Sequence, residues 1–309
     1  MTTGGAGHFF PENFLETLTA RHKILHAIRE YFDTAHYLEV ETPIMVLSPG
    51  IDPYIDAIHA GTGFFLSPSP ELQMKRLLTI GGVPCIYQIT HAFRENERGY
   101  QHNPEFTILE WYHSKKDYVD IMQEAEQLIY YLLHDAGLTL PAKEKYTFPF
   151  LRISVDAIFR NRAGWEPSCQ WDEDRFFLDW VEKIEPYLKS VGGVFVTDFP
   201  APLASLSRLK EDNPLLCERF ELFLRGIEVA NAYTELIDPV EQTQRFKNSQ
   251  GKRKIMGKES YEIDTKFITA LQHGIPECAG AAMGIDRLIM ALLGIDDISK
   301  VQTFPFDRL

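Results

Sequence analysis

The chain's 309 residues suffice for one large domain or two small ones, and such a length buries roughly 75% of its unfolded surface without staples. Apolar residues make up 45% and charged residues 24%, an ordinary balance for a globular protein. With 31 Lys and Arg against 44 Asp and Glu, the net charge of −13 argues against a wide grip on nucleic acid, where phosphate contacts dominate affinity. A local basic patch stays open, with Arg152, Arg160 and Arg162 as candidates.

Residues 1–11 are small and polar and read as a loose tail, leaving 12–309 as one expected domain. The start carries no basic region followed by an apolar run, so no signal peptide is expected. No stretch of about 18 apolar residues predicts a membrane span. The four cysteines form no Cys-x-x-Cys pair and are too sparse for a disulfide framework. A reducing, cytoplasmic setting is therefore expected.

Apolar spacing predicts a helix over 13–35, with Leu18, Leu25, Ile28 and Phe32 on one stripe. A short strand at 37–41 ends before Pro43. Loops and short strands fill 53–70, and a helix starts at Glu71 and stops at Gly81-Gly82. Strands follow at 85–94 and 105–112, then a helix at 117–136. Residues 137–194 give little beyond a helical pattern at 172–190 and a Gly192-Gly193 break. A strand at 194–199, a hairpin at 219–233 and a helix at 240–254 come next. A small-residue strand at 280–284 runs into a helix at 286–293. Strands scattered among helices without a βαβ beat predict an α+β fold with a mostly antiparallel sheet.

Three segments carry chemistry. In 93–112 the two-residue strand period puts Phe106, Ile108, Glu110 and Tyr112 on one face, with Arg94 on the partner strand. That set suits a nucleotide together with an amine, or else is an amphipathic hairpin with surface charges. In 218–236, a turn at Arg225-Gly226 pairs Phe223 with Glu228 and sets Glu221 diagonal to Glu228. Two adjacent carboxylates favour a cation such as magnesium between them, or else are solvated acids. In 278–294, the run 280–284 has almost no side-chain bulk, so a ligand can approach the backbone. Arg287 sits in the following helix's first turn, suited to an anion or to pairing with an acid.

Together the three segments resemble the three motifs of class II aminoacyl-tRNA synthetases. The run 38–45 with Pro43 resembles the first, which forms the dimer interface in that family. Arg94, His102 and Phe106 resemble the second, and Gly284, Asp286 and Arg287 the third. Runs 69–78, 102–112 and 226–236 are similar to the lysyl branch in particular. Motif one begins about a dozen residues after Met1, so no anticodon-reading domain is expected. The chain thereby resembles the truncated lysyl paralogues that ligate (R)-β-lysine onto bacterial elongation factor P. Ala282 stands where lysyl-tRNA synthetases have a second glycine and the β-lysine ligases have alanine.

The resemblance implies ATP and Mg2+ as cofactors, (R)-β-lysine as substrate, elongation factor P as acceptor, a homodimer, and no tRNA or membrane partner. It implies Arg94 bridging the α-phosphate and the substrate carboxylate, with His102 and Arg287 on the outer phosphates. Phe106 would stack on adenine, with Gly284 beside the nucleotide. Glu221 and Glu228 would hold magnesium. Glu71, Tyr112 and Glu235 would take the substrate's ε-ammonium, with Glu110 near the other amine, Asn231 near the carboxylate and Ala282 shaping the pocket. The lysyl pattern Phe-Arg-Asn-Glu departs here to Phe93-Arg94-Glu95-Asn96, so Glu97 is the expected stand-in for the adenine-reading carboxylate. Two other functions remain open: a free-standing lysyl-adenylate-forming enzyme acting on tRNA or another acceptor, and a regulator that kept the fold without the chemistry.

Overall fold

The computed structural model describes residues 14–309. The expected tail at 1–11, and Asn13 of the expected first helix, lie outside them. Helix α1 (Phe14–Thr34) buries Ile24, Ala27, Ile28 and Phe32 at helical spacing. The expected stripe is therefore split: Ile28 and Phe32 are core, Leu25 packs at its edge, and Leu18 is exposed. The strand before Pro43 shrinks to β1 (Leu38–Glu39). Strands β2 (Met45–Val46) and β3 (Phe65–Leu66) form a separate two-stranded sheet. Helix α2 (Glu71–Leu77) runs on as a tighter turn to Ile80 before the glycine pair. Strands β4 (Cys85–Phe93) and β5 (Glu105–Ser114) flank the loop 94–104. Asp117 and Asp120 close a capping box at the start of α3 (Tyr118–His134).

The quiet region 137–194 contains β6 (Leu151–Ser154), α4 (Val155–Ala163), α5 (Glu173–Asp179) and α6 (Glu185–Lys189). The helix expected at 172–190 is interrupted by one wide turn at Trp180–Ile184. Pro186 accounts for this, because it has no N–H for the preceding turn and its ring displaces the carbonyl it would meet. Strands β7 (Gly193–Pro200), β8 (Leu216–Leu224) and β9 (Ile227–Thr234) follow as a meander. Arg225 and Gly226 both take positive φ (+53° and +76°), as a two-residue hairpin turn requires. Phe223 pairs with Glu228 as expected, and a register shift next to that pair inserts Val229. Asp238 caps α7 (Pro239–Ile255), whose first residue is proline. Helix α8 (Thr265–His273), strand β10 (Cys278–Gly284) and helix α9 (Ile285–Leu293) complete the order.

The main sheet runs β1-β4-β5-β10-β9-β8-β7-β6. Its outer pairs, β1–β4 and β6–β7, are parallel and the rest antiparallel, giving the expected α+β arrangement. One face is sealed by α1, α3 and α9 over Leu109, Trp111, Ala281, Met283, Phe220 and Leu222. The other face carries two separate cores. One gathers Met74, Phe246 and Phe267 from α2, α7 and α8. The other gathers Ile158, Phe159 and Phe176 from α4 and α5 against Val194 and Val196 of β7. Between them the middle strands present polar side chains. Among the described residues no helix is long and apolar enough to cross a membrane. All four cysteines are free, and three of them are buried.

Candidate active site

Strand register places the site residues in rows across the open face. One row reads Gln88, Glu110, Ala282, Asn231, Glu221 from β4 to β8. The next reads Ile86, Tyr112, Gly280, Tyr233, Arg219. Glu71, Arg94, Glu110, Tyr112, Asn231, Glu235 and Ala282 line one cavity of about 190 Å³. That is below the roughly 300–1,000 Å³ of sites for drug-sized ligands and suits a small metabolite. Gly280 does not leave its space to a ligand, contrary to the small-residue expectation: a Cβ there would meet the Tyr112 ring at 2.3 Å. At Gly284 a Cβ would make only ordinary contacts with Arg287, the nearest at 3.8 Å, so no packing among the described residues demands a glycine there.

At one end, Arg94 follows β4 and its N–H bonds the Pro104 carbonyl, extending the strand pairing by one residue. Its guanidinium lies 5.0 Å from the Phe106 ring centre and 3.5 Å from Glu97. Its Nε is buried without an acceptor among the described residues. Arg287 donates to the carbonyls of Gln101 (3.1 Å) and Glu228 (3.2 Å), and its Nη2 lies 2.6 Å from His102 Nε2. Burial, and then the Arg287 charge, hold the His102 pKa below the ordinary histidine value. Neutral His102 therefore accepts from Arg287. Two guanidiniums, an imidazole and an aromatic plate converge as an anion- and ring-binding surface.

The other end is acidic and largely buried. Glu110 accepts from Ser69 (2.5 Å) and from Tyr112 (2.9 Å). Tyr233 donates to Glu71. The buried Lys75 ammonium pairs with Glu71 (2.6 Å) and with Glu235. Burial works against that ammonium, but Glu235 and Glu71 outweigh it and hold its pKa above the ordinary lysine value. Burial, and then Glu71, push Glu110 up to about 7. Burial pushes Glu235 up to about 8 despite Lys75. Glu235 Oε1 is buried with no hydrogen-bond partner among the described residues. Three carboxyl groups thus share one internal cation, and Glu110 and Glu235 hold their protons well above the ordinary carboxyl range.

Glu221 and Glu228 stand beside this cavity, at the wall of a second one of about 530 Å³. Glu221 accepts from Arg219 (2.7 Å), which also bonds Asn231 (3.0 Å). Burial, and then the Glu228 charge, push Glu221 up to about 7. No cluster of three or more His, Cys, Asp or Glu suited to a metal occurs among the described residues. The pair fits the way magnesium is held by one or two carboxylates, with phosphate oxygens and water completing its shell. The candidate basic patch does not form: Arg152 pairs with Glu126, Arg160 with Glu166, and Arg162 lies over the Tyr187 ring.

Residues 8–308 match the family of class II tRNA synthetases for D, K and N. The chain belongs to this class II synthetase family. Among curated relatives of this synthetase, the elongation factor P (R)-β-lysine ligase of Vibrio cholerae is 38% identical over 97% of this chain and 98% of its own. Those of Hamiltonella defensa and Vibrio parahaemolyticus are 34% and 35% identical, covering 98% and 96% of this chain and 99% and 97% of their own. All the site residues read from the sequence of this synthetase lie on its open sheet face or its rim. Four others went unread: Ser69, Lys75, Arg219 and Tyr233. Tyr233 was within reach, since the strand period puts it on the Asn231 face. Lys75 stands four residues after Glu71 on α2, a spacing that equally describes a surface ion pair.

Proposed function

We propose that this chain activates (R)-β-lysine with ATP as an acyl-adenylate and transfers it to a lysine ε-amine of elongation factor P. The observation that carries this is the polarity of the 190 Å³ cavity: arginine at one end, and buried Glu110 and Glu235 with half-buried Glu71 at the other. A diamino acid matches that polarity along its length. The relatives' names supply the β-lysine and the acceptor.

In the first step a substrate carboxylate oxygen attacks the α-phosphorus, and the bond to the β-phosphate oxygen breaks as pyrophosphate leaves. A carboxylate needs no general base, so positioning and charge neutralisation supply the catalysis. Arg94 neutralises both reacting groups, Phe106 and Arg287 hold the base and the tail of the nucleotide, and His102 orients Arg287. Glu97 takes the adenine-reading place beside Arg94. Glu221 and Glu228 would hold magnesium, which supplies charge neutralisation at the phosphates. Glu71 and Glu235 take the ε-ammonium, Glu110 the second amine, and Asn231 the carboxylate side. In the second step the acceptor amine attacks the acyl carbon, AMP leaves, and one proton is lost from the amine.

Four free cysteines suit a cytoplasmic setting. A homodimer through α1 and the stretch to Leu47 is part of this reading, supported by exposed Leu15, Leu18, Leu38, Ile44, Met45 and Leu47. The deciding experiment is intact-mass analysis of elongation factor P after incubation with the enzyme, ATP, magnesium and (R)-β-lysine. One β-lysyl mass gain is expected, and tRNA in a parallel reaction should stay unacylated, in keeping with a net charge of −13. No gain on the protein with efficient tRNA acylation would promote the alternative acceptor. No amino-acid-dependent pyrophosphate exchange at all would favour a regulator.

A further inference from the structure

Arg21 lies on α1, and its side chain, 14% exposed, reaches in between β5 and α9. Its Nη1 donates to Asp286 Oδ1 at 2.5 Å and its Nη2 to Thr107 Oγ1 at 2.7 Å. Asp286 is 1% exposed. Its second oxygen accepts from the Thr107 N–H (2.8 Å) and from Gln302 (3.2 Å). One guanidinium and one carboxylate therefore clasp β5, at Thr107, to the first turn of α9. Thr107 follows Phe106 in the chain, and Asp286 precedes Arg287. Each wall of the nucleotide slot is one residue away from the clasp. Arg21 lines neither the amino-acid cavity nor the one beside it.

We propose that Arg21 is a positioning residue for the nucleotide: it fixes the separation of Phe106 and Arg287 by tying β5 to α9 from behind. This rests on the reading of Phe106 and Arg287 as walls of the ATP slot. The fork geometry of guanidinium matters, because it meets Asp286 and Thr107 with two separate nitrogens held in one plane, whereas a lysine ammonium has to reach both acceptors from a single nitrogen. Displacements of an ångström at a reacting centre cost rates on the order of a hundredfold, so a residue outside the cavity can control turnover this way.

The test uses Arg21→Gln, Arg21→Lys and Thr107→Val in the full chain. Pyrophosphate exchange gives separate KM values for ATP and (R)-β-lysine, with melting curves and sedimentation run alongside. Both Arg21 variants should raise the KM for ATP by about tenfold or more while that for β-lysine stays within about twofold. Thr107→Val keeps the Arg21–Asp286 pair and removes one acceptor, so it should raise the ATP KM in the same direction by less. It decides the matter alone where an Arg21 variant does not fold. A merely structural arginine would lower kcat with the folded fraction and leave both KM values in place, which overturns the proposal. Phe106→Ala separates the two levels. If it leaves the ATP KM unchanged, the slot reading itself fails. If it raises that KM while the Arg21 and Thr107 variants do not, only the role given to Arg21 fails.

Discussion

Ala282 puts one methyl group between Glu110 and Asn231 on the floor of the cavity. On the proposed reading, Ala282→Gly should move preference from β-lysine towards α-lysine. One such contact changes discrimination by about 1–3 kcal/mol, or roughly 10–200-fold. Exchange assays with each amino acid measure it, and an unchanged ratio would remove Ala282 from the specificity account. The acids around it make a pH prediction. Glu110 and Glu235 keep their protons in the folded protein up to about 7 and about 8, whereas in the unfolded chain carboxyls lose them near 4.5. Between those limits the folded state binds more protons, so the ligand-free protein loses stability as pH rises through the window. Melting temperature should fall between about pH 5 and about pH 8.5. The fall should flatten in a Glu110→Gln, Glu235→Gln variant; parallel curves would refute the assignment. These glutamates were legible because strand alternation names a face. Their charge state was not, because it depends on Lys75, brought to Glu235 from 160 residues away.

At the scale of elements, β10 works as a narrow rail between β5 and β9. Gly280 lets the Tyr112 ring lie across that rail, which holds the hydroxyl on Glu110. Gly280→Ala adds a carbon 2.3 Å from the ring, so Tyr112 has to swing away. Overpacking of this kind costs about 1–3 kcal/mol. The expected result is a lower melting temperature with a raised KM for the amino acid and an unchanged KM for ATP. A variant with both KM values at the wild-type level would show that Tyr112 has no part in the donor end. The hairpin at Arg225-Gly226 could be read from the sequence, since a two-residue turn depends on a few adjacent residues. The strand Leu151–Ser154 could not: it has four residues, none fully buried, and gains its place by pairing with β7. Nor did periodicity show that Pro186 widens the preceding helical turn.

On the scale of the whole molecule, α1 serves two sides. Phe32 stacks on Tyr87 in the core at 4.7 Å, while Leu15 and Leu18 stay 74% and 38% exposed. With Leu38, Ile44, Met45 and Leu47 they are the exposed apolar residues that the proposed second copy would cover. Sedimentation at micromolar protein should show a dimer, whose stable form buries about 1,200–2,000 Å² in total. A monomer at that concentration would defeat it, and Leu15→Glu with Leu18→Glu should dissociate it without melting the core. That α1 shares its apolar residues between core and surface could not be read from the sequence, since both uses follow the same spacing. The two satellite cores were equally hidden, because each joins segments far apart in the chain. Their separation has a consequence for amide exchange. Strands β5 and β10 are hydrogen-bonded on both sides and sealed by one continuous core from behind, so their N–H groups open only with the whole sheet. The amides of Leu109, Trp111 and Ala281 should trade hydrogen for deuterium slowest of all, near the global unfolding limit. Those of α5 and α8 should trade earlier and independently of each other. The floor of the 190 Å³ cavity would then keep time with the entire fold, while its two shoulders fluctuate on their own clocks.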